Sequence, residues 1–190
     1  VVYIDFSRAF DSVVHSKLMY KLQSVGITGS LYSWIAEFLA NRSQCTVVEN
    51  EFSSVSRVVS GVIQGSCLGP LLFLLFINDI DTIIDDGGNC KLYADDLKLY
   101  SSYGKKNSND ITQTLINKLY EWSVKWQLNI NLAKCRVLHL GVNRDNVVDY
   151  YINGVKSDDC VNDLGVFINS NLRYKEHIGH ICSKAYSRIG

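Results

Sequence analysis

The sequence predicts an α+β fold with an antiparallel sheet, and three observations carry that expectation. Short β-branched and aromatic runs mix with amphipathic helical stretches, without the strict strand–helix–strand order of a doubly wound sheet. The segment KLYADDLKLY at 91–100 sets two strand-like arms around a pair of aspartates, as a tight hairpin does. Ile111, Leu115, Leu119, Trp122 and Trp126 repeat at helical spacing over a long segment.

The elements follow in order. Val1 to Phe6 is a buried-strand run. Leu18, Met19, Leu22 and Val25 form a helical stripe with Gly26 in the stop position. Ser30 is placed to cap a second helix carrying Leu31, Trp34, Ile35, Phe38 and Leu39. Gln44 to Val48 and Phe52 to Val59 read as a hairpin around Glu49, Asn50 and Glu51. The glycine-punctuated loop SGVIQGSCLGP at 60–70 leads into an apolar helix over roughly 71–84, with Pro70 at its start. After the aspartate hairpin and a Ser/Lys/Asn/Gly segment at 101–109 comes the long helix. Strands are expected at 135–140, 150–155 and 164–168. A final helix carries Ile178, Ile181, Cys182, Ala185 and Ile189.

At 190 residues, 47% hydrophobic and 20% charged, the chain suits one compact domain with a sizeable core. Its apolar runs are far shorter than the roughly 20 residues that span a bilayer, and no secretion signal opens the sequence. It begins inside a strand-like run and ends inside a helical one, so it reads as a piece of a longer protein. Six cysteines without a CxxC pair, mostly in apolar contexts, suit buried, reduced thiols of an intracellular protein. His177, His180 and Cys182 cluster, but no second ligand group completes a zinc set. The formal net charge is zero but unevenly spread. Asp79, Asp81, Asp85, Asp86, Asp95 and Asp96 face only Lys91 between 79 and 96, whereas Arg173, Lys175, Lys184 and Arg188 face only Glu176 beyond 171. An acidic centre and a basic end suit metals in one place and phosphates in another.

Taken alone, Asp95-Asp96 reads as an acidic surface turn. Its flanks argue otherwise, because Leu92, Tyr93, Leu97, Leu99 and Tyr100 imply at least half-buried arms. Asp5 ends the apolar run VVYI, where a sheet would fix its direction. If that strand lies beside the hairpin, three carboxylates converge. Such a group calls for about two divalent cations ~3.5–4 Å apart, the arrangement of in-line phosphoryl transfer. Mg²⁺ suits oxygen ligands and retained waters, and the Phe6 carbonyl is a further oxygen.

DFSRAFDSV at 5–13, GVIQGSCLGPLLFLLFINDI at 61–80 and YADD at 93–96 closely resemble the reverse transcriptases of non-LTR (LINE-type) retrotransposons. WQLNINLAKC at 126–135 and LGVFI at 164–168 continue the resemblance in order, over essentially the whole chain. It implies a right-hand polymerase palm over 1–170, with a small antiparallel sheet backed by helices. The start of a helical thumb would follow at 171–190, and the fingers would lie outside the chain. The implied activity is RNA-directed DNA polymerisation with two Mg²⁺ ions, Mn²⁺ substituting. RNA template, DNA primer and dNTPs would be the partners. A chromosomal target implies a nuclear address in a eukaryotic host, with no membrane involved.

The resemblance also implies roles for residues. Asp5, Asp95 and Asp96 would be the catalytic carboxylates, and with the Phe6 carbonyl the metal ligands. Phe10 would lie under the incoming sugar and exclude a 2′-hydroxyl; otherwise it is a core aromatic. Gln64 and Gly65, with Ser66, would meet template and nucleotide, or form a plain turn before a helix. Lys134 would protonate departing pyrophosphate, or be an exposed lysine at a strand start. Leu164, Gly165 and Val166 would belong to a primer grip. Ile63 stands where the family commonly has proline. Other readings are a group II intron maturase, a telomerase-like enzyme, an RNA-templated RNA polymerase, a phosphohydrolase, or an inactive nucleic-acid-binding remnant. Phe10 speaks against the RNA-making enzyme.

Overall fold

The computed structural model describes residues 1–84, 88–102, 108–141, 150 and 157–189. The helices are α1 (His15–Ser24), α2 (Gly29–Leu39), α3 (Leu68–Ile77), α4 (Ser108–Trp126) and α5 (Lys175–Ile189). The strands are β1 (Val2–Ile4), β2 (Ser43–Gln44), β3 (Val47–Val48), β4 (Glu51–Phe52), β5 (Ser56–Arg57), β6 (Gly88–Tyr93), β7 (Asp96–Ser101), β8 (Arg136–Leu138), β9 (Ser157–Asp158), β10 (Cys160–Asp163) and β11 (Val166–Asn169). Mixed helices and small, mainly antiparallel sheets make this α+β, as expected.

The central sheet runs β6-β7-β1-β8-β9, so β1 lies in the middle. It pairs antiparallel with β7 (Ile4 opposite Leu97) and with β8 (Val2 opposite Val137). Alternation along these strands divides the sheet. Val2, Ile4, Leu97, Leu99 and Val137 are buried, while Tyr3, Lys98 and Arg136 stand opposite one another on the other face. Helix α4 packs on β6 and β7, and its Leu115 and Leu119 share one core with Phe73 and Phe76 of α3 and Leu18 and Leu22 of α1. Each such side chain contributes roughly 1.5–3 kcal/mol by leaving water.

Several elements differ from the sequence reading. Thr28, not Ser30, precedes α2, and no side-chain hydrogen bond caps it. Only Ile35 and Leu39 of that stripe are buried; Leu31 and Trp34 stay half exposed. The helix expected at 71–84 starts at Leu68, ends at Ile77 and tightens to a 3₁₀ turn over Asn78–Ile83. Pro70 falls in its first turn, where no intrahelical N–H is needed. Leu71 and Leu74 face outward, so the helix is not buried all round. The hairpin tip is Glu49-Asn50, both at positive φ, and every residue from Asn41 to Arg57 is exposed. Strand β9 pairs parallel with β8, a departure from the antiparallel expectation. The strand expected at 150–155 lies outside the described residues except for Tyr150. All six cysteines are free, but only Cys135 is buried; Cys45, Cys67 and Cys182 are exposed. His180 packs its ring against Phe167, on a helix with no buried residue.

One buried charge was unforeseen. Lys21 of α1 is 4% exposed and hydrogen-bonds the Phe76 carbonyl and Asp79 Oδ1. Its ammonium lies 3.7 Å from the Trp126 ring centroid, 4.6 Å from Phe76 and 4.7 Å from Trp122. Trp122 also donates its indole N–H to Asp79. Burial brings the Lys21 pKa down to about 8 despite Asp79.

Candidate metal centre

Asp5 is the first residue beyond β1, and the register sets its place. One step past Ile4–Leu97, it falls opposite Asp96, the first residue of β7. Two-residue periodicity puts both on the face that carries Tyr3 and Lys98, away from the core. Tyr93 pairs with Asp96, so Ala94-Asp95 is a two-residue loop. Ala94 adopts φ 52°, a left-handed conformation costing a non-glycine residue of order 1 kcal/mol or more. The hairpin holds it because Leu97 and Leu99 anchor β7 in the core. β6 is an edge strand, and its Tyr93 is exposed.

The three carboxylates sit close enough to act on one another. The Asp96 carboxyl is pushed up from its usual range by burial, then by the charges of Asp95 and Asp5. Asp5 Oδ1 is buried without a hydrogen-bond partner. The cation nearest it, Lys134 Nζ, stands 3.8 Å off, beyond hydrogen-bond reach. An orphaned carboxylate oxygen beside two more carboxylates fits a divalent cation with oxygen preference. Among the described residues no three ligands stand ready-made for a metal ion, so the carboxylates share a neighbourhood, not a finished coordination shell. The Phe6 main chain pairs with Ile130 in an isolated bridge, next to Asp5.

A cavity of ≈340 Å³ opens on this face, lined by Tyr3, Asp5, Asp96, Lys98, Lys134 and Leu164 among others. Leu164 and Gly165, both at positive φ, turn β10 into β11, and Val166 begins β11. Sequence reasoning missed β10 and with it Asp163, whose Oδ1 lies 2.5 Å from Lys98 Nζ. This pair joins the β10–β11 hairpin to β7, two residues from Asp96. Asp163 also adds to the upward push on Asp96, and with burial it brings Tyr3 to about 12. A polar strand, CVND, carries no alternating apolar signal that could have revealed it.

The remaining residues stand apart from this cavity. Phe10 is partly buried and stacks on Phe73, with centroids 4.3 Å apart. Its carbonyl accepts the Val62 N–H, and Gly61 (φ 90°) presses so close that a Cβ there would meet Asp11 Cα at 2.9 Å. These contacts tie the loop before α3 to the turn after β1. Gln64 donates its amide to Asp11 Oδ1 at 2.8 Å. Gly65 adopts φ 82° with open space where a side chain would be. The Ser66 hydroxyl donates to the Ile63 carbonyl and accepts the Gly69 N–H, so it braces the start of α3.

Residues 1–168 match the family described as reverse transcriptase (RNA-dependent DNA polymerase). The chain belongs to that family. Among its relatives, the RNA-directed DNA polymerase from mobile element jockey of Drosophila funebris is 30% identical over 98% of this chain and 21% of its own length. The Drosophila melanogaster jockey enzyme is 27% identical, over 94% and 20%. The probable RNA-directed DNA polymerase from transposon BS of Drosophila melanogaster is 32% identical, over 99% and 22%. This reverse transcriptase chain therefore spans about a fifth of the length of these relatives. The mobile-element relatives agree with the LINE-type resemblance read from the motifs. No described helix is long and apolar enough to cross a membrane.

Proposed function

We propose that the chain is the palm (1–170) and the start of the thumb (171–190) of an RNA-directed DNA polymerase of a non-LTR retrotransposon. The observation that carries this is the Asp5 oxygen without a hydrogen-bond partner, just beyond the central strand and opposite the Asp95-Asp96 hairpin. Two Mg²⁺ ions, or Mn²⁺ in their place, would neutralise charge at the reacting phosphate and lower the pKa of the attacking hydroxyl. Asp5, Asp95, Asp96 and the Phe6 carbonyl would hold them. The primer 3′-oxygen bonds to the α-phosphorus of a dNTP as the bond to pyrophosphate breaks.

The protein's own groups arrange these partners. Phe10, pinned by Phe73, forms a rigid floor for the deoxyribose and leaves no room for a 2′-hydroxyl. Gln64 and Gly65 sit at the loop meeting template and nucleotide. Lys134, near Asp5, is placed to give pyrophosphate its proton. Leu164, Gly165 and Val166 hold the primer terminus against the same cavity. Fingers and the rest of the thumb would come from the longer parent polypeptide, and chromosomal targets would place it in the nucleus of a eukaryotic host.

The test is Mg²⁺-dependent extension of a DNA primer on an RNA template by the full-length polypeptide, with Asp95→Asn beside it. Extension lost in Asp95→Asn supports the reading. A folded, template-binding parent that never extends the primer would leave the remnant reading in its place.

A further inference from the structure

The β10–β11 hairpin forms a sheet of its own beside the face of the central sheet that carries Tyr3, Asp96 and Lys98. Two strands alone are marginal in water, so the hairpin needs fastening. Its base is fastened by the main chain. β9 leads directly into β10, the Ser170 N–H donates to the Asp159 carbonyl, and the Gly141 N–H donates to the Ser170 carbonyl. Helix α5 is joined to the same hairpin: Asn169, 7% exposed, donates to Glu176, and Phe167 meets the His180 ring edge-on. The tip is held differently. There Asp163, the last residue before the Leu164-Gly165 turn, reaches Lys98 of β7. Among the described residues no other ion pair and no strand pairing joins the hairpin to the central sheet. With side chains only 23% and 14% exposed, the two charges are largely out of the water that weakens a surface pair.

We propose that Lys98 and Asp163 are positioning residues, a clamp that sets the height of the Leu164-Gly165 turn over the Asp5 and Asp96 carboxylates. The strand supplies the spacing: Lys98 follows Asp96 by two residues on the same face, about 7 Å along β7. Both members of the pair line the cavity that Asp5 and Asp96 share with Leu164. Lys98 is a poor grip for a phosphate, because its ammonium is engaged by Asp163 and stands 5.9 Å from the Tyr3 ring centroid. Nor does the pair act on the carboxylates through net charge, since Lys98 lowers and Asp163 raises the Asp96 pKa. Its action is mechanical. That the chain resting on the turn is a DNA primer depends on the polymerase reading above; the clamp itself does not.

The experiment compares the full-length polypeptide with its Lys98→Met, Asp163→Asn and doubly substituted forms. Deuterium exchange, read without nucleic acid, should speed up about tenfold or more at the amides of β10 and β11, while β1 and α4 keep their protection. On an RNA template, each single substitution should raise KM for the DNA primer by about 3–10-fold with kcat little changed. The double form should lose no more than the worse single, because both remove one contact. Lys98→Arg, which keeps the charge, should stay near the parent in both readings. Effects that multiply in the double form overturn the clamp, as does unchanged exchange in the hairpin. Protection lost from β1 as well would make the pair a general stabiliser and also overturn it. A fall in kcat at unchanged KM would assign the pair to the carboxylates and do the same. Faster hairpin exchange, equal in the single and double forms of a protein that extends no primer, keeps the clamp and removes the polymerase reading.

Discussion

Two charged groups among the described residues, one buried and one only partly so, are treated in opposite ways. Lys21 is enclosed behind the sheet, but the chain answers its charge completely with Asp79, the Phe76 carbonyl and three aromatic rings. Asp5, on the opposite face, keeps a buried oxygen with no hydrogen-bond partner, and only Lys134 Nζ at 3.8 Å offsets its two like-charged neighbours. A charge the chain satisfies itself is a structural joint; Lys21 ties α1 to the end of α3 and to α4. A charge answered only in part is an invitation to something outside the chain.

The largest effect should come from breaking the unanswered side. Asp5→Asn or Asp95→Asn should reduce primer extension by more than about a thousandfold, since transition-state charge loses its counter-ion. The same substitutions should raise the melting temperature in EDTA, because they relieve carboxylate repulsion. A lowered melting temperature would contradict the contrast. On the answered side, Lys21→Met should cost about 2–4 kcal/mol in urea unfolding, by stranding Asp79 and losing the cation–π contacts.

Proton linkage sharpens the same point. The folded Lys21 pKa, about 8, lies below the unfolded value of 10.5, so between them the unfolded chain binds more protons. Stability at this position should therefore rise as pH goes from about 8 to about 10.5. Lys21→Met should lack that rise when urea midpoints are compared across the window.

Much of the answerless site was legible. Leu97 and Leu99 alternate with polar neighbours, so the hairpin and its tip could be read locally, and VVYI aims Asp5 at a strand end. The α4 stripe was equally clear, and Leu115, Leu119, Trp122 and Trp126 are all buried. Lys21 was not legible, because its partners lie 55, 58, 101 and 105 residues away and local periodicity says nothing of them. Nor was Asp163, which meets Lys98 across 65 residues from a strand without apolar alternation. The stripe on α2 misled in the opposite direction, since apolar spacing shows which residues share a face but not whether anything covers it.

Smaller effects probe residues between the two extremes. Phe10→Ala should raise the use of ribonucleotides in competition assays by roughly tenfold or more, and lower stability by about 2 kcal/mol through the lost stack on Phe73. Unchanged sugar discrimination would remove Phe10 from that role. Lys98→Met should raise the KM for primer by about 3–10-fold, about 1 kcal/mol, with little change in kcat. Exchanging Lys98 and Asp163 should recover most of that loss. If kcat falls instead, the pair shapes the carboxylates rather than the primer hairpin.

The position of β1 also has a consequence in time. Flanked on both sides, its amides at Tyr3 and Ile4 should be among the last to exchange with deuterium, opening only when the domain opens. The two-residue loop carrying Asp95 has no such neighbour beyond its own edge strand and should exchange far sooner. The centre would then be hung between a slow bank and a quick one. A bound ion would close that gap by slowing the quick bank toward the slow one, leaving a signature visible without any turnover.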